Sequence, residues 1–426
     1  MSETTTLPIP KVKSTFDIKI QEAKKNTLNN GIPVYSINAG TQEIVRLEIF
    51  FDAGIIRQNK SFQAFLCNHM LLEGTKNRTS AEISEEIDFY GGYLNVDYAK
   101  DFSSVTLHIL NKYFDKGLAV LQDVLENPVF PQHELDTLIK NQRSAYMVDI
   151  EKVSYLAQKK LNELLFSGHP YGRSSNEDDF NKITREDILW FYQFYNLSGA
   201  QITLSGKVGD KEIDLLNNTI GSIKLEKKVF EAYPKEFKIL PGDHFVEKKD
   251  AMQSSIKVAT HLPLKGSDDF YGLLVLNTIL GGYFGSRLMS NIREDKGWTY
   301  GISSYIESMA VASCLIISTE VKGEVAEKAM TEIFNELDRL CDELIPQEEL
   351  ETVRTYMLGK FLKNLDGPFE LCDRFWGIQQ FNLGYDYYQR YINAIKTISA
   401  QELQALAQKY FVKDKMVRLI AGGGNK

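Results

Sequence analysis

Cysteine is scarce in this sequence, and its cysteines are not spaced as a pair. The four are scattered along the chain, at Cys67, Cys314, Cys341 and Cys372. None forms a Cys-x-x-Cys motif, and a lone cysteine within an apolar stretch is typical of a small buried side chain. The spacing therefore gives no indication of a disulfide framework.

The sequence also lacks an excess of basic residues and any long apolar run. Its net charge is -8 and its pI is near 5.5, which excludes nucleic acid and anionic membrane surfaces as the main partners. No apolar stretch reaches the length of a membrane span. The first residues lack a basic region followed by an apolar run, so we expect a cytoplasmic protein, or a periplasmic one if a signal peptide has been removed.

An internal repeat divides the sequence into two similar parts. Pro131-Gln-His-Glu-Leu135 recurs as Pro346-Gln-Glu-Glu-Leu350, and the segment that starts at Thr184 recurs from Ser399 with the same offset. Two motifs in one register indicate two copies of one unit. We predict an N-terminal α+β domain over residues 15–225, a linker over 226–243 and a C-terminal α+β domain over 244–426. Residues 1–14 are predicted to be a loose arm.

Apolar patterning predicts the elements of the first copy. Asn30-Gly31 lies between two β-prone runs, which is typical of a hairpin, and residues 44–51 alternate as a half-buried strand. Long helical segments are predicted from 114 to 126 and from 131 to about 166. Strands linked by hairpins together with such helices favour a largely antiparallel sheet covered by helices.

The stretch from Ser61 to Thr75 contains the residues of greatest chemical interest. It reads Ser-Phe-Gln-Ala-Phe-Leu-Cys-Asn-His-Met-Leu-Leu-Glu-Gly-Thr and has helical spacing. It resembles the zinc helix of the insulinase/pitrilysin superfamily, the inverted-motif zinc metallopeptidases that include the mitochondrial processing peptidases. The family helix reads His-Phe-Leu-Glu-His, where this chain has Phe65 for the first histidine and Asn68 for the glutamate. Only His69 is retained.

The resemblance also concerns a third zinc ligand, a glutamate on a later helix. The corresponding window, residues 140–145, contains no carboxylate, and Asp149 and Glu151 are out of register. Phenylalanine has no donor atom, and an asparagine amide cannot act as a general base at neutral pH. We therefore expect no metal site and no catalytic residue in this chain, with His69 as a packed, hydrogen-bonded histidine.

A second family signature is matched almost throughout by residues 280–305. The family uses an arginine and a tyrosine in it to bind substrate, and these correspond to Arg293 and Tyr300. A guanidinium and a phenol can both donate hydrogen bonds to a peptide carbonyl or an oxyanion. In the alternative interpretation, Arg293 pairs with a surface carboxylate and Tyr300 is packing. The surrounding match favours substrate binding.

The resemblance implies two α+β halves that form half of a clam-like chamber. It also implies a non-catalytic subunit, inactive alone, that binds an extended peptide for a homologous zinc-containing peptidase partner. One alternative is a structural subunit, like the peptidase-derived core proteins of respiratory complexes. The other is a stand-alone peptidase with an unrecognised metal site, which the six scattered histidines disfavour because none has ligand-like spacing.

Overall fold

The computed structural model describes residues 18–423. The arm predicted for residues 1–14 lies outside them, as do the outermost residues of the first and last predicted domains. Within the described residues the chain forms two sheets with helices packed against them, one of six strands and one of five. The predicted α+β class, with two similar halves built on largely antiparallel sheets, is confirmed.

The N-terminal sheet has the strand order β1-β2-β6-β3-β5-β4, in which β2 and β6 are parallel and the other neighbours are antiparallel. Its strands are β1 Lys24–Thr27, β2 Pro33–Asn38, β3 Ile44–Phe51, β4 Tyr93–Tyr98, β5 Ser103–Leu110 and β6 Gln201–Gly206. The helices in this part of the chain are α1 Gln63–Met70, α2 Ser80–Phe89, α3 Phe114–Glu126, α4 Gln132–Asp149, α5 Val153–Leu165, α6 Arg185–Tyr192 and α7 Asp210–Asn218. The predicted hairpin at Asn30-Gly31 is confirmed as β1–β2.

The C-terminal sheet has the order β7-β11-β8-β10-β9, with β7 and β11 parallel. Its strands are β7 Gly242–Glu247, β8 Gln253–Leu262, β9 Ile302–Ser308, β10 Ser313–Lys322 and β11 Val417–Gly422. The helices are α8 Asp268–Asn277, α9 Ala326–Asp342, α10 Gln347–Lys363, α11 Pro368–Gln379, α12 Asp386–Thr397 and α13 Ala400–Tyr410. Two π-helical turns follow α8, at Thr278–Gly282 and Met289–Asp295.

The two sheets have the same topology once β1 is set aside. Taken in chain order from β2 and from β7, the strands occupy the same positions in both sheets. The repeated Pro-Gln motifs lie at the starts of α4 and α10, which are therefore equivalent helices. By the same order, α1 corresponds to α8 and β4 to β9.

The two halves exchange one helix each. Helix α5 packs on the C-terminal sheet, where its buried face contacts strands β8, β10 and β11; the residues of this cluster include Ala157, Leu161, Leu164, Leu165, Ala259, Ile316 and Leu419. Helix α11 covers part of the N-terminal sheet through Leu371 and Phe375, which pack with Ile37 of β2. Each sheet thus packs against a helix from the other half of the chain.

This exchange explains why the prediction of one helix from 131 to about 166 is wrong. The segment is two helices, α4 and α5, separated at Ile150–Lys152, where Lys152 has an extended backbone (φ -89°, ψ 126°). Because α5 buries its apolar face against the other sheet, it has to leave the axis of α4. None of the helices within residues 18–423 combines the length and apolar character needed to cross a bilayer.

Candidate functional site

Helix α1 begins in a way that fixes the positions of Phe65, Asn68 and His69. Its N-cap, Phe62, has left-handed backbone geometry (φ 70°). The buried side chain of Gln63 accepts hydrogen bonds from the backbone N–H groups of Asn59 and Lys60, both at 2.9 Å. These bonds tie the loop that precedes α1 to the first residue of the helix.

An aromatic cluster occupies the outer part of this site. The rings of Phe65 and His69 lie 4.2 Å apart, and Tyr98 of β4 packs edge-on against Phe65 at 5.7 Å. His69 Nδ1 lies 2.9 Å from the carbonyl oxygen of Phe65. Because a carbonyl oxygen can only accept, Nδ1–H donates this hydrogen bond. Burial raises the pKa of the Tyr98 phenol. We call Phe65, His69 and Tyr98 the aromatic cluster.

Asn68 lies beneath this cluster and is completely buried. Its Nδ2 donates to the carbonyl oxygen of Asp97, at 3.1 Å, and to the hydroxyl of Tyr195, at 3.0 Å. Burial raises the pKa of Tyr195, which keeps its phenol protonated. An amide can donate to the Asp97 carbonyl, whereas a carboxylate cannot. Asn68 therefore ties α1 to β4.

The two carboxylates that follow the expected third-ligand window, Asp149 and Glu151, both form ion pairs with lysines. Asp149 pairs with Lys152 at 2.8 Å, and Glu151 pairs with Lys248 at 2.5 Å. Within residues 18–423, no group of three or more histidine, cysteine, aspartate or glutamate side chains is arranged to hold a metal ion. The residues around His69 therefore do not fit the zinc ion that the family resemblance implies.

The structure places Arg293 and Tyr300 together on the C-terminal half. Arg293 lies on the second π-helical turn, and its Nε donates to the carbonyl oxygen of Tyr300 at 3.1 Å. The backbone between them folds back through Gly297 (φ +63°), and the N–H of Trp298 donates to the Ile292 carbonyl at 3.1 Å. This closed loop holds the pair in a fixed relation.

The side chains of the pair remain accessible. The Tyr300 side chain is 96% exposed, and the Arg293 guanidinium lies 4.7 Å from the ring centroid of Phe284, itself exposed. A cation over an aromatic face is favoured by the ring quadrupole. We call Arg293, Tyr300 and Phe284 the Arg–Tyr site. Sequence reasoning missed Phe284, although it lies within the matched signature.

Strand β9 starts two residues after Tyr300 and lies at an edge of its sheet. In the described structure its only strand neighbour is β10. On β9, Ser303 and Tyr305 are exposed. Gly281 approaches so closely that a Cβ there would lie 2.6 Å from the Ser304 nitrogen, so only glycine allows the first π-helical turn to pack here. An edge strand offers backbone groups to a further extended chain.

Two family descriptions match most of the described chain. Residues 33–179 match "Insulinase (Peptidase family M16)", and residues 182–357 match "Peptidase M16 inactive domain". Curated relatives include the "Uncharacterized zinc protease YmxG" of Bacillus subtilis, 24% identical over 413 residues, which are 94% of this chain and 99% of the relative. The "Non-peptidase homolog YmxG" of Helicobacter pylori is 24% identical over 360 residues, 81% of each chain.

Solved structures agree on the fold. The peptidase M16 inactive domain from Pseudomonas fluorescens superposes with a TM-score of 0.86 at 21% identity. The superposition covers 95% of this chain and 98% of the Pseudomonas chain. A protease from Helicobacter pylori gives a TM-score of 0.88 at 18% identity, and the superposition covers 95% of this chain and 100% of the protease chain. At such identities the likeness establishes the architecture alone.

Proposed function

Since this chain belongs to peptidase family M16, the insulinase family, we propose that it is a non-catalytic subunit that binds extended peptides for a homologous zinc-containing peptidase. One observation supports this most directly. The zinc-helix positions hold the packed residues Phe65 and Asn68, whereas the Arg293 side chain contacts the Tyr300 backbone and the Tyr300 phenol lies in solvent.

The chemistry of the Arg–Tyr site suits a peptide backbone. The guanidinium has five N–H donors, of which Nε contacts the Tyr300 carbonyl and one terminal nitrogen lies 4.0 Å from the exposed Glu294 carboxylate, and the phenol can donate a further hydrogen bond. A peptide that paired with the edge of β9 would gain main-chain hydrogen bonds with little sequence preference. The partner would supply the zinc ion and the general base that this chain lacks.

A binding experiment tests the proposal without the partner. An extended, fluorescently labelled ten-residue peptide is titrated with the wild-type chain, with Arg293→Ala and with Tyr300→Phe, and its anisotropy is measured. We expect Arg293→Ala to weaken binding at least tenfold, since a hydrogen bond to a charged group contributes about 1.5–3 kcal/mol, and Tyr300→Phe to weaken it about threefold to tenfold, since a neutral hydrogen bond contributes about 0.5–1.5 kcal/mol. Arg143→Ala, which removes an exposed guanidinium paired with the exposed Glu177, is the matched control and is expected to bind like the wild type.

The second arm uses a mixture with the homologous zinc-containing subunit from the same organism. We expect both substitutions to lower the peptidase activity of the mixture. If Arg293→Ala and Tyr300→Phe leave both peptide affinity and activity unchanged, the binding role is wrong, and a purely structural subunit becomes the better explanation.

A further inference from the structure

A second concave site lies beside β9, on the C-terminal half. It is a cavity of about 370 Å³, open to solvent on one side, that is lined by β9, the end of α8 with its π-helical turn, and helices α10, α11 and α12. Helices α8 and α10 and strand β9 are the counterparts of α1, α4 and β4. The cavity therefore occupies the position in the C-terminal half that the aromatic cluster occupies in the N-terminal half.

The cavity is lined by more positive than negative charge. Its cations are Lys265, Lys360 and Arg374, and the carboxylate among its lining residues is Asp373. Asp373 is already paired with Arg46 of β3, at 2.6 Å. Among the described residues, none of the three cations forms an ion pair with a carboxylate. This arrangement favours an anion supplied from outside the chain.

Lys265 lies at the inner end of this charge cluster. Its ammonium donates to the Gly377 carbonyl at 2.7 Å and lies 5.4 Å from the Tyr387 ring centroid. Burial, and then the nearby Arg374, lower the pKa of Lys265 to about 8. A bound anion would offset both effects, because an opposite charge favours the protonated form.

The walls indicate an organic ligand with an N–H group. Five tyrosines contribute to them, namely Tyr305, Tyr356, Tyr387, Tyr388 and Tyr391. Asn277, the last residue of α8, also lines the cavity, and its buried Oδ1 has no hydrogen-bond partner within the described residues. An unpaired buried acceptor is costly, so a donor is expected there when the cavity is filled. A peptide supplies such a donor through its amide N–H.

We propose that this cavity binds a carboxylate of the peptide, either the C-terminal one or that of an acidic side chain, between Lys360 and Arg374. This deepens the proposed function and rests on it for the course of the peptide along β9. Tyr300 and Ser304, the latter a lining residue, are four residues apart, or roughly 13 Å in an extended chain. One short peptide can therefore reach both the Arg–Tyr site and the cavity.

The test compares three acetylated hexapeptides by isothermal titration calorimetry. The first ends in leucine with a free carboxylate, the second is its C-terminal amide, and the third is an amide that ends in glutamate. We expect the free acid to bind at least tenfold more tightly than the leucine amide, and the Lys360→Met and Arg374→Met variants to lose that ratio. Lys363→Met, which removes an exposed charge from the same helix, should keep it.

The outcomes separate the two charge sources and the two proposals. Tight binding of the amide that ends in glutamate assigns the site to an acidic side chain. Weak binding of that peptide assigns the site to the C-terminal carboxylate. Equal binding of the free acid and both amides, no binding of any peptide, or equally strong competition by inorganic phosphate would overturn the carboxylate site. If Arg293→Ala leaves every affinity unchanged while the acid-to-amide ratio still depends on Lys360, the Arg–Tyr proposal fails and the cavity assignment stands.

Discussion

Asn68 illustrates how one residue type separates this chain from the zinc helix that its sequence resembles. The family helix has a glutamate here as general base, according to the resemblance in the sequence. In this chain the side chain is buried and donates to the Asp97 carbonyl and the Tyr195 hydroxyl. A residue that serves β4 through donated hydrogen bonds cannot also activate a water molecule.

The substitution Asn68→Asp tests this structural role. It replaces a donor by an ionised acceptor beside the Asp97 carbonyl, so we expect the free energy of unfolding at pH 7 to fall by about 2–4 kcal/mol. Urea denaturation followed by circular dichroism measures it. Asn393→Asp, the same change at an exposed position of α12, should lie within about 0.5 kcal/mol of the wild type. Equal stability of the two variants would contradict the role.

Among the elements, α11 shows how the exchanged helices are held. Arg46 of β3 is only 9% exposed at its side chain and reaches Glu48 at 3.0 Å and Asp373 of α11 at 2.6 Å. It also donates to the Phe369 carbonyl at 3.1 Å. Beside it, Trp376 of α11 stacks on Phe50 of β3 at 3.6 Å. Polar and aromatic contacts thus join the helix to the other half's sheet.

Arg46→Met should therefore destabilise the protein in a pH-dependent way. Burial raises the pKa of Glu48 and Arg46 opposes that rise, so removal of the arginine leaves a largely buried carboxylate without its ion-pair partner, at a cost of about 3 kcal/mol at pH 7. Without Arg46 the folded-state pKa of Glu48 rises further above its unfolded value. The folded state of the variant then takes up a proton as pH falls. The loss in free energy of unfolding caused by Arg46→Met should therefore be smaller at pH 5 than at pH 7.

Urea titrations of wild type and Arg46→Met at pH 7 and pH 5 give this difference. Arg143→Met serves as the control, because Arg143 and Glu177 form an exposed pair, and such pairs contribute about 0–1 kcal/mol. A cost for Arg46→Met that is the same at both pH values would argue against a buried, unpaired Glu48.

For the whole molecule, the helix exchange couples the two halves. Leu161 of α5 is fully buried, in a cluster that includes Ile316 and Leu419 of the C-terminal sheet. Leu371 and Phe375 of α11 are buried on the N-terminal side. Neither sheet can keep its apolar cover if the other half unfolds. The two halves are therefore expected to unfold as one unit, despite the length of the chain.

The three tryptophans allow this coupling to be measured. Trp190 lies on α6, Trp298 precedes β9 and Trp376 lies on α11. In single-tryptophan variants, with the other two replaced by phenylalanine, the urea midpoints should coincide. Adding Leu161→Ala should lower all three midpoints together, because the substitution should reduce the free energy of unfolding by about 2–5 kcal/mol. A midpoint for Trp298 that separated from that of Trp190 would show that the halves unfold independently.

The sequence by itself determined the class and the duplication of this fold, because turn residues, apolar periodicity and the repeated Pro-Gln motifs are local features. It also located the substitutions at Phe65 and Asn68, since a missing donor atom is visible in the residue type. Only the tertiary structure decided which groups Phe65 and Asn68 contact, that α5 and α11 pack on the other half's sheet, that Phe284 lies against Arg293, and that the cavity with Lys360 and Arg374 adjoins β9. These depend on contacts between residues far apart in the chain, which periodicity and spacing do not encode.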